Sequence, residues 1–327
     1  MTEQIRWGIL STAYIGRKSL IPAMHEARNG IPAAVASRDI GKARAFAEAT
    51  GIPKVYGSYE DLLADPAIDA IYNPLPNSLH AEWTMKAADA GKPVLCEKPF
   101  TVTSAEAQQV VGHFRARGLP VAEAFMYRYH PQTARVVQMV QDGAVGDLHS
   151  IHASFTVAIP NPDENIRFKR ETGGGSLFDL GCYPLSIMRL LAGEPEFTAA
   201  TGVLNDEGVD LSAGGVLQFP AGVTGTIISD MTGFRAQNVD IRGTDGRIYV
   251  RTPFSIPKDQ STVTFYWHGD EYEEISTPPT NHYVLMLEDF ADAVLTGRPP
   301  RFPAEDAVLQ MAALEKLVAQ AASTSPA

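Results

Sequence analysis

Short apolar runs alternate with helix-period segments from residue 4 to residue 124, and few architectures accommodate that rhythm. Residues 4–10 read as a strand and 14–28 as a helix, and 31–37 with 40–50 repeat the pair. Ser58, followed three residues on by Asp61, reads as a capped helix start. Residues 70–73 form the next strand, 79–90 the next helix and 93–96 another strand. Thr103 with Glu106 makes a capping box for a helix reaching 117, and 120–124 closes the series. Strands joined by helices at these intervals specify an α/β domain built on a parallel, doubly wound sheet.

The rhythm changes near residue 124. A helix over 131–142 leads into strand-like stretches at 148–157, 197–203, 215–219, 223–231, 239–242, 247–251, 262–267 and 272–275. Turns such as Pro220-Ala221-Gly222 and Thr244-Asp245-Gly246 separate several of them. Helices over 282–295 and 304–320 finish the chain. This pattern specifies an α+β domain with a large, mostly antiparallel sheet. At 327 residues the chain is long for one domain. The expected division is 1–122 and 123–327.

A net charge of −11 with no Lys/Arg-rich run argues against nucleic acid or an anionic membrane as partner. No apolar stretch is long enough for a membrane span and no secretory leader is seen, so a cytoplasmic protein is expected. Cys96 and Cys182 make no disulfide framework, and each reads as a small buried hydrophobe. The eight histidines show no H-E-x-x-H or Cys/His spacing, so no metal site is expected.

Chemistry concentrates in a few stretches. Val94-Leu95-Cys96 runs into Glu97-Lys98-Pro99, an acid, a base and a proline at a strand end. Pro99 steers Lys98 away from helical backbone, and a lysine fixed beside a crevice can act on a ligand. The plainer alternative is a surface turn. After the first strand come Ser11, Thr12, Ala13, Tyr14, Ile15 and Gly16, where a G-x-G-x-x-G turn would stand. Its glycine sites hold Ser11, Ala13 and Gly16, and small residues followed by a helix N-terminus still admit a pyrophosphate.

After the second strand, an acid would hold the ribose 2′-hydroxyl of NAD. This chain has Ser37-Arg38 and then Lys42, groups that suit a 2′-phosphate and favour NADP over NAD. Asp39 weakens that reading if it points inward. Pro74 and Pro76 stiffen a loop after the fourth strand; Asn77 reads as a cap for the next helix and His80 as a first-turn packing residue. In the second domain, Gly173-Gly174-Gly175 precedes Ser176, Asp179, Cys182 and Tyr183. A helix from Ser176 would put Asp179 and Tyr183 on one face, able to bind and deprotonate a hydroxyl, although Pro184 interrupts it. The alternative is a helix-terminal charge and a core tyrosine.

Taken together, these motifs resemble the glucose–fructose oxidoreductase / inositol dehydrogenase / rhizopine-catabolism (Gfo/Idh/MocA) family over nearly the whole chain. The tyrosine at 183, where most members carry histidine, and the 124–131 stretch look like the branch of NADP-dependent xylose dehydrogenases and dimeric dihydrodiol dehydrogenases. The resemblance implies an N-terminal Rossmann domain and an open-faced second sheet that closes over the nicotinamide. Strands such as Val223-Thr224-Gly225-Thr226-Ile227-Ile228, whose outer face needs cover, point to a homodimer or higher homo-oligomer built on that sheet. It implies NADP contacts from the 11–15 turn, Ser37, Arg38, Lys42, Pro74, Asn77, His80, Glu97 and Lys98. The implied chemistry is hydride transfer between NADP and a hydroxyl-bearing carbon of a sugar or cyclic polyol, foremost the oxidation of an aldose at C1. A trans-dihydrodiol or an anhydro-ketose is the alternative substrate, and a non-catalytic NADP sensor the more distant one. Lys98 and Tyr183 would carry the proton and Asp179 would bind a second hydroxyl, with Tyr127, Arg128 and Arg167 as further contacts. An unperturbed tyrosine with a pKa of ~10 is a poor base, so a nearby ammonium would favour its ionised form.

Overall fold

The computed structural model describes residues 4–324. The chain divides into two compact units. One holds residues up to 126 together with Asn281–Val308; the other holds Tyr127–Thr280 and the residues from 309 on.

In the first unit, β1 (Ile5–Leu10), β2 (Gly30–Ala36), β3 (Lys54–Tyr56), β4 (Ala70–Asn73), β5 (Val94–Cys96) and β6 (Val121–Glu123) form a parallel sheet. Its order is β3-β2-β1-β4-β5-β6. The crossovers are α1 (Ile21–Glu26), α2 (Ile40–Thr50), α3 (Tyr59–Ala64), α4 (His80–Asp89) and α5 (Ser104–Arg117). Because β1 lies between β2 and β4, the winding reverses there, and a crevice opens at the strands' C-terminal ends. Trp7, Ile9, Val35, Ile71, Tyr72 and Leu95 are wholly buried, as strands covered on both faces require.

Local chemistry sets the helix ends. The Ser58 hydroxyl accepts from Asp61 N at the start of α3, and Thr103 and Glu106 exchange bonds in a full capping box. Two features differ from expectation. Helix 14–28 is not regular, because Gly16–Leu20 is π-helical ahead of Pro22. The helix His282–Thr296, expected in the second domain, belongs to the first unit. Its Phe290 ring lies 5.6 Å from Trp7, and Asn29 Nδ2 donates to Asp292 Oδ1 at 2.7 Å.

The second unit contains α6 (Pro131–Gln141), β7 (Leu148–Thr156), α7 (Cys182–Ala192), β8 (Phe197–Leu204) and β9 (Asp210–Gln218). β10 (Thr224–Asp230), β11 (Ala236–Gly243), β12 (Gly246–Val250), β13 (Thr262–His268) and β14 (Glu271–Thr277) follow. The sheet order is β14-β13-β12-β11-β7-β10-β9-β8, and only the β7–β10 pair is parallel. Ile151, Leu217, Ile227, Ile241 and Ile248 are buried and define the core face, on which α7 packs against β7 and β10. The pairing register puts Val216, Thr226, His152, Asp240, Tyr249 and Phe265 in one row across the opposite face. Val203, Val216 and Ile228 are exposed on that face.

Candidate active site

In the first unit the sequence-selected residues converge on the ends of β1, β2, β4 and β5. Ser11 follows β1 with φ +83°, a left-handed conformation that favours glycine and costs a serine roughly 1–2 kcal/mol. The first turn thus keeps a glycine's shape without the glycine. Ser11 N donates to Ala36 O at 2.9 Å, and its hydroxyl donates to Pro74 O at 3.4 Å, joining the turn to the proline loop. Thr12 and Ala13 complete the turn, and Tyr14 and Ile15 open the helix. The Tyr14 ring is exposed, with Lys18 Nζ 5.5 Å from its centroid.

At the end of β2 the acid left ambiguous by sequence has a clear task. Asp39 Oδ1 accepts from Gly41 N at 2.9 Å and from Lys42 N at 3.1 Å, which makes it the N-cap of α2. Its carboxylate is used by the helix. Ser37 is buried and its hydroxyl accepts from Asp39 N. The Arg38 guanidinium bonds the Tyr59 hydroxyl and opposes the rise that burial imposes on that phenol's pKa. Ser37, Arg38 and the exposed Lys42 therefore stand as hydroxyl and cations, a set suited to a phosphate.

Past β5, Glu97 N donates to Asn73 O at 3.0 Å and Glu97 Oε2 accepts from Lys98 N at 3.2 Å. Glu97 Oε1 accepts from the Tyr72 hydroxyl at 2.7 Å, and burial first, then Glu97, pushes that phenol's pKa well up. The Lys98–Pro99 peptide is cis. Tyr283, from the helix His282–Thr296, also lies near Glu97; burial and that charge raise it to about 12 against a bond from Ser19. Nothing local in the sequence ties Tyr283 to Glu97. Burial raises the Cys96 thiol far above its usual range, leaving it an inert hydrophobe.

Two expectations for this loop change. α4 has Leu79 at its N-cap position, and Asn77 instead opens a 3-10 turn, Asn77–Leu79. His80, expected as a cofactor contact, is wholly enclosed, and both ring nitrogens meet backbone carbonyls.

In the second unit the glycine run is a matter of close approach. A Cβ on Gly174 would stand 2.3 Å from Arg167 O, and one on Gly175, whose φ is +138°, 2.3 Å from Asp210 Oδ1. Asp210 was not singled out from the sequence, yet its Oδ2 accepts from Ser176 Oγ at 2.7 Å and Leu177 N at 2.8 Å. Burial raises its pKa while these bonds oppose the rise. It anchors the start of the segment that carries Asp179 and Tyr183. An inward-facing acid at a strand start, where aspartate is disfavoured, is the signal that could have found it.

That segment is π-helical over Leu177–Gly181 and α-helical from Cys182, so the uniform α-helical face expected for Asp179 and Tyr183 is not formed. Pro184 is the physical reason: it lacks an N–H, and a π turn shifts the bonding register past its ring. Asp179 Oδ2 accepts from Arg167 Nε at 2.8 Å, with the acid 16 % exposed and the arginine 43 %. Tyr183 is buried among Tyr127, Phe155 and Phe254, whose ring centroids lie 5.5–5.8 Å away. Tyr127 and Arg128, expected as substrate or cofactor contacts, are buried and turn to Ser186 on α7. The Tyr127 hydroxyl lies 2.6 Å from Ser186 Oγ, and the Arg128 guanidinium donates to it at 2.7 and 2.9 Å. Both tether the chain before α6 to α7.

Residues 5–125 match the oxidoreductase family with an NAD-binding Rossmann fold, and residues 133–249 match the GFO/IDH/MocA C-terminal domain. The chain belongs to the Gfo/Idh/MocA oxidoreductase family. Among its relatives is D-xylose 1-dehydrogenase (NADP(+)) 2 of Haloferax volcanii, 40% identical over 313 residues and 95% of each chain. The trans-1,2-dihydrobenzene-1,2-diol dehydrogenase of Sus scrofa is 33% identical over 78% of this chain and 76% of its own. Among solved structures, a 3-ketoreductase from Actinomadura kijaniata in complex with NADP and TDP-benzene superimposes with TM-score 0.92 at 33% identity. That match covers 97% of this chain and 98% of the other. The family expected from the Glu-Lys-Pro stretch and the glycine segment is therefore correct, and so is the α/β fold class.

Proposed function

We propose that this Gfo/Idh/MocA protein is an NADP-dependent dehydrogenase acting on a CH–OH group of a sugar, foremost an aldose oxidised at C1. The observation that carries the cofactor reading is Asp39: with its carboxylate capping α2, the end of β2 offers Ser37, Arg38 and Lys42 to a 2′-phosphate. The 11–15 turn and the helix it opens would receive the pyrophosphate through backbone N–H groups, with Pro74, Asn77, Glu97 and Lys98 bordering the same crevice. NADP, when bound, supplies the hydride acceptor. The substrate hydroxyl's one proton passes to the Lys98–Tyr183 pair, whose phenol is held ionised by the ammonium, and Asp179, oriented by Arg167, binds a second hydroxyl. The names of the relatives support the sugar and cyclic-diol substrate classes.

A screen for NADPH formation tests this directly, with D-xylose, D-glucose and a trans-dihydrodiol offered with NADP and with NAD. Oxidation of an aldose with NADP is the expected result. Turnover of the diol alone would move the substrate to the cyclic-diol class, and no turnover of any polyol would leave a non-catalytic NADP-binding protein.

The same reading includes a cytoplasmic homodimer built on the open face of the second sheet. Val203, Val216 and Ile228 are exposed there, and Arg247 lies between Tyr249 and Trp267 at 5.6 and 4.9 Å from their ring centroids. An apolar and aromatic face of this kind calls for cover by a symmetry mate. Light scattering at micromolar concentration should give twice the chain mass; a monomer overturns the assignment.

A further inference from the structure

His80 is the first residue of α4 and has no exposed surface. Its Nδ1 lies 2.8 Å from the carbonyl oxygen of Pro99 and its Nε2 lies 2.8 Å from that of Leu75. One carbonyl belongs to the proline loop after β4, the other to the residue next to Lys98. A histidine that merely packs needs neither contact, whereas this ring meets an acceptor at both ends. Burial, aided by the Lys98 charge, lowers its pKa to about 4, so the ammonium is within electrostatic reach of the ring. An uncharged ring donates to one carbonyl and abuts the other; a charged ring donates to both. In either form it is a rigid spacer between the two segments.

The residue's own backbone joins the same network. The His80 carbonyl accepts from Asn73 Nδ2 at 3.3 Å, and that amide also donates to Thr84 Oγ1 at 3.0 Å. Asn73 Oδ1 accepts from Leu75 N at 3.2 Å, and Asn73 O accepts from Glu97 N at 3.0 Å. The ends of β4 and β5 and the first turn of α4 are thereby fixed to one another, and His80 supplies the link to Pro99.

We propose that His80 is a positioning residue for Lys98, its ring setting the place of the Lys98–Pro99 backbone from which the ammonium projects. The proposal rests on the reading of Lys98 as a proton carrier. A displacement of about 1 Å at a catalytic group can cost roughly 10²-fold in rate.

The test compares His80→Ala, His80→Gln, Lys98→Met and the Lys98→Met/His80→Ala pair in NADP-linked oxidation of D-xylose or D-glucose, with NADPH affinity read by fluorescence titration. His80→Ala is expected to lower kcat by roughly 10²-fold while NADPH affinity changes little. His80→Gln keeps one donor and should fall between it and the wild type. In the Lys98→Met background the histidine change should cost nothing further, because its effect runs through the missing ammonium. Wild-type kcat in His80→Ala, a loss confined to NADPH affinity, or a full additional loss in the double variant would each overturn the proposal. If His80→Ala fails to fold, His80→Gln decides by the same readouts. Wild-type kcat in Lys98→Met would remove the underlying reading of Lys98, whereas an inactive Lys98→Met beside a fully active His80→Ala removes only the role given to His80.

Discussion

Lys98→Met and Tyr183→Phe are each expected to lower kcat by about 10²–10⁴-fold, the usual loss when a general acid–base is removed. NADPH affinity should change little in either variant. Lys98 stands on a strand end fixed by Glu97, which the Tyr72 hydroxyl and Asn73 O hold in turn. Tyr183 is gripped by Tyr127, Phe155 and Phe254, so Phe in its place keeps the packing and removes only the hydroxyl. Asp179→Asn should act more on KM, because it weakens a substrate contact and the Arg167 pair without removing a proton carrier. Steady-state kinetics with the preferred aldose, alongside NADPH titration, separates these outcomes. A Tyr183→Phe variant with near-normal kcat would make the phenol structural and leave Lys98 as the sole carrier. Activity in Lys98→Met as well would end the catalytic reading of the Glu-Lys-Pro stretch.

Arg38→Ala is expected to weaken NADP(H) binding by roughly 10–100-fold, as a hydrogen bond to a charged group contributes about 1.5–3 kcal/mol. NAD(H) binding should barely move, since it lacks the 2′-phosphate. Asp39→Ala makes the informative control. It removes the N-cap of α2, at a cost of about 0.5–2 kcal/mol in stability, without turning the site toward NAD. Fluorescence titration with both cofactors and thermal unfolding measure the two effects. A wild-type protein that binds NAD more tightly than NADP would sink the assignment.

Much of the fold was legible because local and tertiary demands agree. β4 and α2 fall on the residues expected, and the Ser58 and Thr103 caps form as their spacing implied. β3 escaped notice because three residues, one of them the exposed Lys54, carry too little pattern. β9 begins at Asp210, ahead of the expected 215, because Ser212 and the paired glycines at 214 and 215 mask its alternation. The π turns at Gly16–Leu20 and Leu177–Gly181 were hinted at only by Pro22 and Pro184, which signal a disturbance but not its form. In the site, residue types at strand ends pointed to the chemistry. Direction did not follow from type: Asp39 turns to a helix, Arg128 to Ser186 and His80 to two carbonyls. Hydrogen-bond demand decides such orientations, and for Arg128 and His80 a partner lies 58 and 19 residues away.

The return of His282–Thr296 to the first unit has a consequence for biosynthesis. On the ribosome, Tyr127–Thr280 must be translated between β6 and that helix, which at ~5–20 residues per second takes roughly 8–30 s. Throughout that interval Trp7 has no Phe290 to pack on, and Asn29 has no Asp292. Tyr283 is also missing from beside Glu97. The dinucleotide-binding half is the first to emerge, yet it is complete only after most of the second unit has been made. A gene fragment ending at residue 126 encodes every strand of the sheet but not the helix that completes it, so the nascent domain depends on the remainder of its own message.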